Sequence, residues 1–225
     1  MTRCYVCFNK TSWGQVLCSD CIRGFDVIDL NQSCPMCKTS MLSSEMCGAC
    51  LQKEWHFETL AVPFYYNAMA RYLLHDLKFY QNLLLLPIFA NLMIESLSDY
   101  FKAHQPEVII PVPMHRWRML GRGFNQAHEL AKRLGRAYHI NVNPHVVQKI
   151  KHTPAQARLD AQARHANLKA SFKVEKHQAF KHVVLLDDIF TTGTTVNALA
   201  LELIKSGIER VDVIALFRAH SLSFF

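Results

Sequence analysis

Beyond residue 50 this chain of 225 residues has no cysteine, so no disulfide framework holds its larger part together. Long apolar stretches are lacking too. The longest, Leu83 to Ile94, is too short for a membrane-spanning helix and is interrupted by Pro87. It reads as a core helix with proline in or near its first turn. No apolar leader precedes Cys4, which follows directly on Met1-Thr2-Arg3. The expectation is therefore a soluble, cytoplasmic protein that meets the inner face of a membrane only through partners. Acidic residues are scarce between His115 and Lys181, where 14 Lys/Arg face Glu129, Asp160 and Glu175 alone, a balance of +11. Residues 1–60, with five basic and six acidic groups, balance at −1. A polyanionic partner suits the basic stretch, either a phosphate-rich small molecule or nucleic acid, and a solvated face is the plain alternative.

What cysteine there is forms four C-x-x-C pairs: Cys4/Cys7, Cys18/Cys21, Cys34/Cys37 and Cys47/Cys50. Such a turn sets two thiolates on one side of a tight knuckle, and two knuckles fill a tetrahedral ion. Four knuckles thus predict two Zn²⁺ sites in a double zinc-ribbon unit over residues 1–55. Iron–sulfur ligation uses the same thiolates and is the principal rival. Intervening loops of 10 and 9 residues favour sequential pairing of the knuckles over an interleaved cross-brace. Four thiolates leave no open coordination position, so the metal is expected to be structural. Because this segment has few large apolar groups, its folding should depend on metal, with a core separate from that of the remainder.

From Thr59 the pattern changes to alternating strands and helices. Strands are expected at Thr59–Tyr66, Glu107–Val112, His145–Lys149, His182–Leu186 and Arg210–Phe217, and helices at Ala68–Tyr80, Gln126–Tyr138 and Thr194–Ser206. Near-continuous Val/Ile/Leu strands imply an α/β fold, a parallel sheet flanked by helices over residues 56–225. Ligands in such folds bind beyond the carboxyl ends of the strands. The aromatics Trp55, Phe57, Phe64, Tyr65 and Tyr66 read as core residues, although stacking on bases would also suit them.

One stretch carries chemistry. Val183-Val184-Leu185-Leu186 make a buried strand, Asp187 and Asp188 stand at its end, and Ile189-Phe190-Thr191-Thr192-Gly193-Thr194-Thr195 open a helix. Backbone N–H groups at such a turn, with threonine hydroxyls, suit a phosphate. Gly193 would allow its close approach. Paired carboxylates can accept hydrogen bonds from the vicinal hydroxyls of a ribose. An acidic strand end also resembles a Walker B motif, but no G-x-x-x-x-G-K-[ST] accompanies it.

These thirteen residues resemble the 5-phosphoribosyl-1-pyrophosphate (PRPP) signature of type I phosphoribosyltransferases. Joined with the cysteines, Pro111-Val112-Pro113-Met114-His115-Arg116 and Arg122-Gly123-Phe124-Asn125-Gln126, they make the chain similar to the ComF/GntX family. Those are zinc-ribbon phosphoribosyltransferase-like proteins linked to competence and use of external DNA, and the resemblance covers nearly the whole chain. It implies that Asp187 and Asp188 hold the ribose 2′- and 3′-hydroxyls and that Thr191, Thr192, Gly193, Thr194 and Thr195 hold the 5′-phosphate. Pro113, His115 and Arg116 would face pyrophosphate, with Arg122, Asn125 and Gln126 beside them and Mg²⁺ bound with the PRPP. Lys151 to Gln156, continuing through Arg158 and Arg164 to Asn167, resembles the loop that covers pyrophosphate in that family. There this chain has Lys151 or His152 where arginine is common. Residues 57–105 would form the hood over the acceptor, yet no base-reading pattern is visible in them. The basic excess between His115 and Lys181 predicts weak, sequence-independent binding to single-stranded DNA, and the resemblance implies a ComFA-like helicase or another competence protein as a partner. Phosphoribosyl transfer and non-catalytic PRPP sensing both need this cradle and both stay open.

Overall fold

The computed structural model describes residues 2–12, 14–114, 116–149, 172–174 and 180–219, with the backbone alone at 116–118. The N-terminal segment has little regular structure. Strand β1 (Thr2–Arg3) pairs antiparallel with β2 (Lys10–Thr11), and helices α1 (Ser19–Arg23) and α2 (Gly48–Leu51) are short. Two short strands follow, β3 (Leu60–Ala61) and β4 (Phe64–Tyr65), and then helices α3 (Ala68–Phe79), α4 (Leu85–Ser96) and α5 (Ser98–His104). Next come β5 (Val108–Pro111), α6 (Arg116–Arg122), α7 (Gln126–Tyr138) and β6 (Asn141–Val142). Strands β7 (Val147–Lys149) and β8 (Phe172–Val174) form a small antiparallel sheet apart from the main one. The chain continues with β9 (His182–Phe190), α8 (Thr194–Lys205) and β10 (Arg210–Arg218).

The main sheet runs β3–β10–β9–β5–β6, with β4 extending β3 along β10, and every pair is parallel. Its strands bury both faces, as their unbroken apolar runs require. Val184, Leu186, Ile109 and Ile214 face one cluster with α3, α4 and α7, whereas Val183, Leu185, Val108 and Val213 face the other with α8. The expected strand Thr59–Tyr66 is split at Val62–Pro63, because proline has no N–H to give the ladder. Strand β9 outlasts its expected end at Leu186, since β10 pairs with it as far as Phe190. Both carboxylates therefore sit within the strand. Strands β3 and β4 of the candidate hood join the edge of the main sheet along β10.

The cysteine units do not have cores of their own. Cys4, Leu17, Cys18 and Phe25 belong to the apolar cluster of α3, α4 and α7, and Ile28, Cys34, Cys37 and Cys50 to the cluster of α8. Each unit thus lies on one face of the sheet. Backbone bonds tie them to its edge: Ile28 N–H donates to Pro63 O at 2.9 Å and Tyr65 N–H to Asp26 O at 2.8 Å. Tyr5 stacks on Tyr72 with centroids 6.3 Å apart, and its hydroxyl donates to Asp76 of α3. That bond holds the phenol's pKa up to about 12.

Phe25 is the clearest test of the shared core, with its ring centroid 5.6 Å from that of Phe64 and 5.8 Å from that of Phe217. Phe25→Ala is expected to cost about 3–5 kcal/mol and to lower the urea midpoint of the whole chain in a single transition. Early melting of the N-terminal segment alone would show that the cores are independent after all.

Candidate functional site

The knuckles pair sequentially. The sulfurs of Cys4, Cys7, Cys18 and Cys21 lie within 4.8 Å of one another, as do those of Cys34, Cys37, Cys47 and Cys50. A tetrahedral zinc with bonds of about 2.3 Å separates its sulfurs by roughly 3.8 Å. Cys7 and Cys18 are 3.6 Å apart, and Cys37 and Cys47 3.7 Å. Both tetrads therefore fit the ion. Backbone N–H groups also favour thiolates: Cys18 N–H donates to Cys4 Sγ at 3.3 Å and Cys47 N–H to Cys34 Sγ at 3.4 Å. Burial opposes ionisation of Cys4, yet amide donors from Cys7, Cys18 and Val6 outweigh it and hold that thiol down to about 6.

The second centre lies at the carboxyl end of β9. Asp188 is buried, and its Oδ2 accepts from Lys78 Nζ of α3 at 2.5 Å and from Gln126 Nε2 of α7 at 3.1 Å. Asp187 Oδ1 accepts from the Asp188 N–H at 2.8 Å. The two carboxyls are not equivalent. Burial, followed by the Asp188 charge, pushes Asp187 well above the usual carboxylate range. Burial pushes Asp188 up as well, but the Lys78 ammonium and the Gln126 amide outweigh it and hold Asp188 below that range. The pair retains one proton more readily than two separate carboxyls would, and Asp187 is the one that keeps it.

Beyond β9 the chain turns through Thr191 and Thr192 into α8. Thr192 Oγ1 is 2.8 Å from Thr194 Oγ1 and accepts the Thr194 N–H at 3.4 Å. Gly193 is the N-cap of α8 with φ +69°. A Cβ there would come within 2.5 Å of Phe190 Cζ and 2.8 Å of Trp55 Cζ3. Glycine is thus demanded by the left-handed backbone and by the rings behind it, rather than by the approach of a phosphate alone. The second cysteine unit reaches this turn directly. Lys53 Nζ donates to Thr192 O at 2.9 Å and lies 3.9 Å from the Trp55 ring centroid. Asn197 of α8 takes the His56 N–H at 2.7 Å and donates to Glu54 O at 2.9 Å. Arg218, buried at the end of β10, donates to Cys37 O and to Thr39 Oγ1, the latter at 2.9 Å.

The remaining expected residues divide. Asn125 caps α7, accepting the Ala127 N–H at 3.0 Å and donating to Val112 O at 3.0 Å, so its amide serves the fold. Gln126 spends its N–H on Asp188, and its Oε1 is buried without a partner among the described residues. The Arg122 guanidinium lies 5.5 Å from the Phe79 ring centroid. Pro113 is half-buried in the turn after β5. His115, the side chain of Arg116, Arg158 and the rest of the 151–167 stretch lie outside the described residues. Sequence reasoning missed Lys78, Lys53, Trp55 and Arg218 as members of the site. A lysine on a helix and one after a C-x-x-C pair have no local signature, because their partners are distant in sequence.

The ion pair changes what loss of the carboxylates does. Two adjacent acids at a strand end suggest mutual repulsion and a neutral deletion, but Lys78 compensates Asp188. Asp188→Asn or Lys78→Met alone is expected to cost about 3–5 kcal/mol in urea unfolding, by stranding a buried charge. The double variant should recover much of that, and additivity would show that the groups do not interact. For Asp187 the sign is opposite. Its pKa is raised on folding, so native stability falls as pH rises above about 4. The gain from Asp187→Asn should accordingly grow with pH above about 4 and be flat below it, and a gain independent of pH would contradict the raised pKa.

Residues 80–223 match the family model for the phosphoribosyl transferase domain. Competence protein F of Haemophilus influenzae is 34% identical over 182 residues, covering 78% of this chain and 80% of that protein. DNA utilization protein YhgH of Escherichia coli O157:H7 is 31% identical over 210 residues, 92% of this chain and 91% of that one. Competence protein ComFC of Streptococcus pneumoniae is 28% identical over 207 residues, 90% of this chain and 87% of that one. With a parallel sheet that ends in two carboxylates and a threonine-glycine turn, and two cysteine tetrads on its flanks, this chain belongs to the ComF family of phosphoribosyl transferase-domain proteins.

Proposed function

We propose that this protein binds PRPP with Mg²⁺ at the carboxyl edge of its sheet and acts in the use of external DNA, with structural zinc in both cysteine tetrads. The observation that carries the binding reading is the junction of β9 and α8. There the Asp187–Asp188 pair and the N-terminal end of a 12-residue helix adjoin one turn. A ribose fits the first by its hydroxyls, and a phosphate fits the second by backbone N–H groups and the threonine hydroxyls. Asp187 is the better placed acceptor for ribose, since Asp188 Oδ2 already holds two donors. Mg²⁺ would neutralise the pyrophosphate, helped by the cations of the 115–122 segment. Where an acceptor is present, the reaction is displacement of pyrophosphate at ribose C1, and without one the protein is a sensor of PRPP.

The role in DNA use comes from the names of the relatives, and the surface supports it. Phe79 and Tyr80 are exposed, the His75 ring lies 4.7 Å from that of Phe79, and the Arg122 guanidinium lies over the same ring. Rings and cations together suit single-stranded DNA. Among the described residues no helix is long and apolar enough to cross a membrane, so contact with an uptake helicase would be made from a protein without a spanning helix of its own in that region.

Elemental analysis should find about two zinc ions per chain. Calorimetry with PRPP and Mg²⁺ should show binding, and Asp187→Asn should weaken it up to about tenfold through loss of a carboxyl hydrogen bond to a ribose hydroxyl. Release of pyrophosphate on adding candidate acceptors would establish the transferase, and binding without turnover the sensor. A wild-type protein that binds no PRPP ends this proposal.

A further inference from the structure

The second cysteine unit has contacts that a mere cover for the sheet would not need. Lys53 follows Cys50 by three residues, and its backbone N–H donates to Cys50 O at 3.3 Å. Its ammonium then reaches across to the carbonyl of Thr192, in the turn that opens α8. Trp55, two residues on, stands behind Gly193, with its ring centroid 6.5 Å from Phe190 and 5.1 Å from Phe57. The Trp55 indole N–H is buried without a partner among the described residues, so packing rather than hydrogen bonding sets the ring's place. Asn197 completes the bracket by binding the backbone on both sides of Trp55.

The Thr192–Gly193 peptide is trans, and the C=O and N–H of a trans peptide point to opposite sides. A lysine that takes the Thr192 carbonyl on the ribbon side turns the Gly193 N–H to the other side. Trp55 prevents the turn from relaxing backward, because its ring fills the space next to the Gly193 Cα. Segment 187–195 itself has no lysine or arginine, so nothing within it can hold that carbonyl as an ammonium does.

We propose that Lys53 and Trp55 are positioning residues of the phosphate turn, through which the second cysteine unit sets the Gly193 N–H toward a phosphate monoester. This rests on the phosphate-binding reading of the turn. The metal's part is indirect: a filled Cys34/Cys37/Cys47/Cys50 tetrad holds the end from which Lys53 and Trp55 project. The first tetrad lies on the opposite face of the sheet.

Calorimetry on the full chain with ribose-5-phosphate and, separately, pyrophosphate tests the assignment. Lys53→Met should weaken ribose-5-phosphate about tenfold and leave pyrophosphate binding, zinc content and melting temperature unchanged. Lys53→Arg, which keeps a donor, should bind within about threefold of the wild type. In the wild type, saturating ribose-5-phosphate should change tryptophan emission, and Trp55→Phe should abolish that change, leaving Trp13 and Trp117 as the silent background. The assignment is overturned by a Lys53→Met protein that binds ribose-5-phosphate like the wild type, or by an arginine variant as weak as the methionine one. Equal loss of both ligands would also overturn it. Should Lys53→Met fail to fold, the wild-type emission decides, and an unchanged signal at saturation overturns the assignment. A wild type that binds neither ligand refutes the phosphate reading itself, a result distinct from one in which the wild type binds and the variants do not differ.

Discussion

An all-parallel sheet has to be covered on both faces, and the architecture of this protein follows from that need. Strands β9 and β10 each have six apolar residues in nine, and exposing either face would leave Val, Ile and Leu in water. Helices α3, α4 and α7 cover one face and α8 part of the other. The cysteine units finish the cover, one on each side. That explains how a segment poor in large apolar residues stays attached: its few, Leu17, Phe25 and Ile28 among them, are spent on the sheet. The cysteine tetrads bring the knuckles together in a geometry that could hold a metal ion, and the sheet supplies the core they lack.

The same arrangement decides the chemistry of the carboxyl edge. A strand alternates its side chains, so Asp188 turns to the face of α3 and α7, where Lys78 and Gln126 meet it. One carboxylate is thereby compensated and fixed, and its neighbour keeps a raised affinity for a proton. Adjacent acids of identical type become a structural group and a responsive group through what lies above each. A ligand hydroxyl arriving at Asp187 would meet a carboxyl already oriented by its bond from the Asp188 N–H.

Charge is balanced across the molecule in a related way. Each Cys₄ site with a divalent ion carries a formal −2, and Arg218 and Lys53, both close to the second tetrad, are cations placed on that side. Arg218 binds the carbonyl of Cys37 from the end of β10 while lying over Phe190, the last residue of β9. The end of the strand that bears the carboxylates and the knuckle that bears the thiolates therefore share one buried guanidinium.

Much of this was legible in the residues. Continuous apolar runs mark β5, β9 and β10, and the C-x-x-C spacing marks both tetrads and their sequential pairing. These features are local: strand burial and knuckle geometry are written within about a dozen residues of chain. Helices α5 and α6 were not legible, being short and without a clean apolar period. Lys78 beside Asp188, Lys53 on Thr192, and Trp55 behind Gly193 were hidden as well. Each joins residues more than a hundred positions apart, and nothing in the neighbourhood of either partner announces the other. The sequence alone determined that a metal-binding segment precedes a parallel α/β domain whose strand end and turn suit a phosphorylated ribose. Only the tertiary structure decided that the segment and the sheet share their cores, that the two aspartates differ, and that Lys53 and Trp55 of the second cysteine unit touch the turn, because long-range packing and electrostatics exist only once the chain has folded.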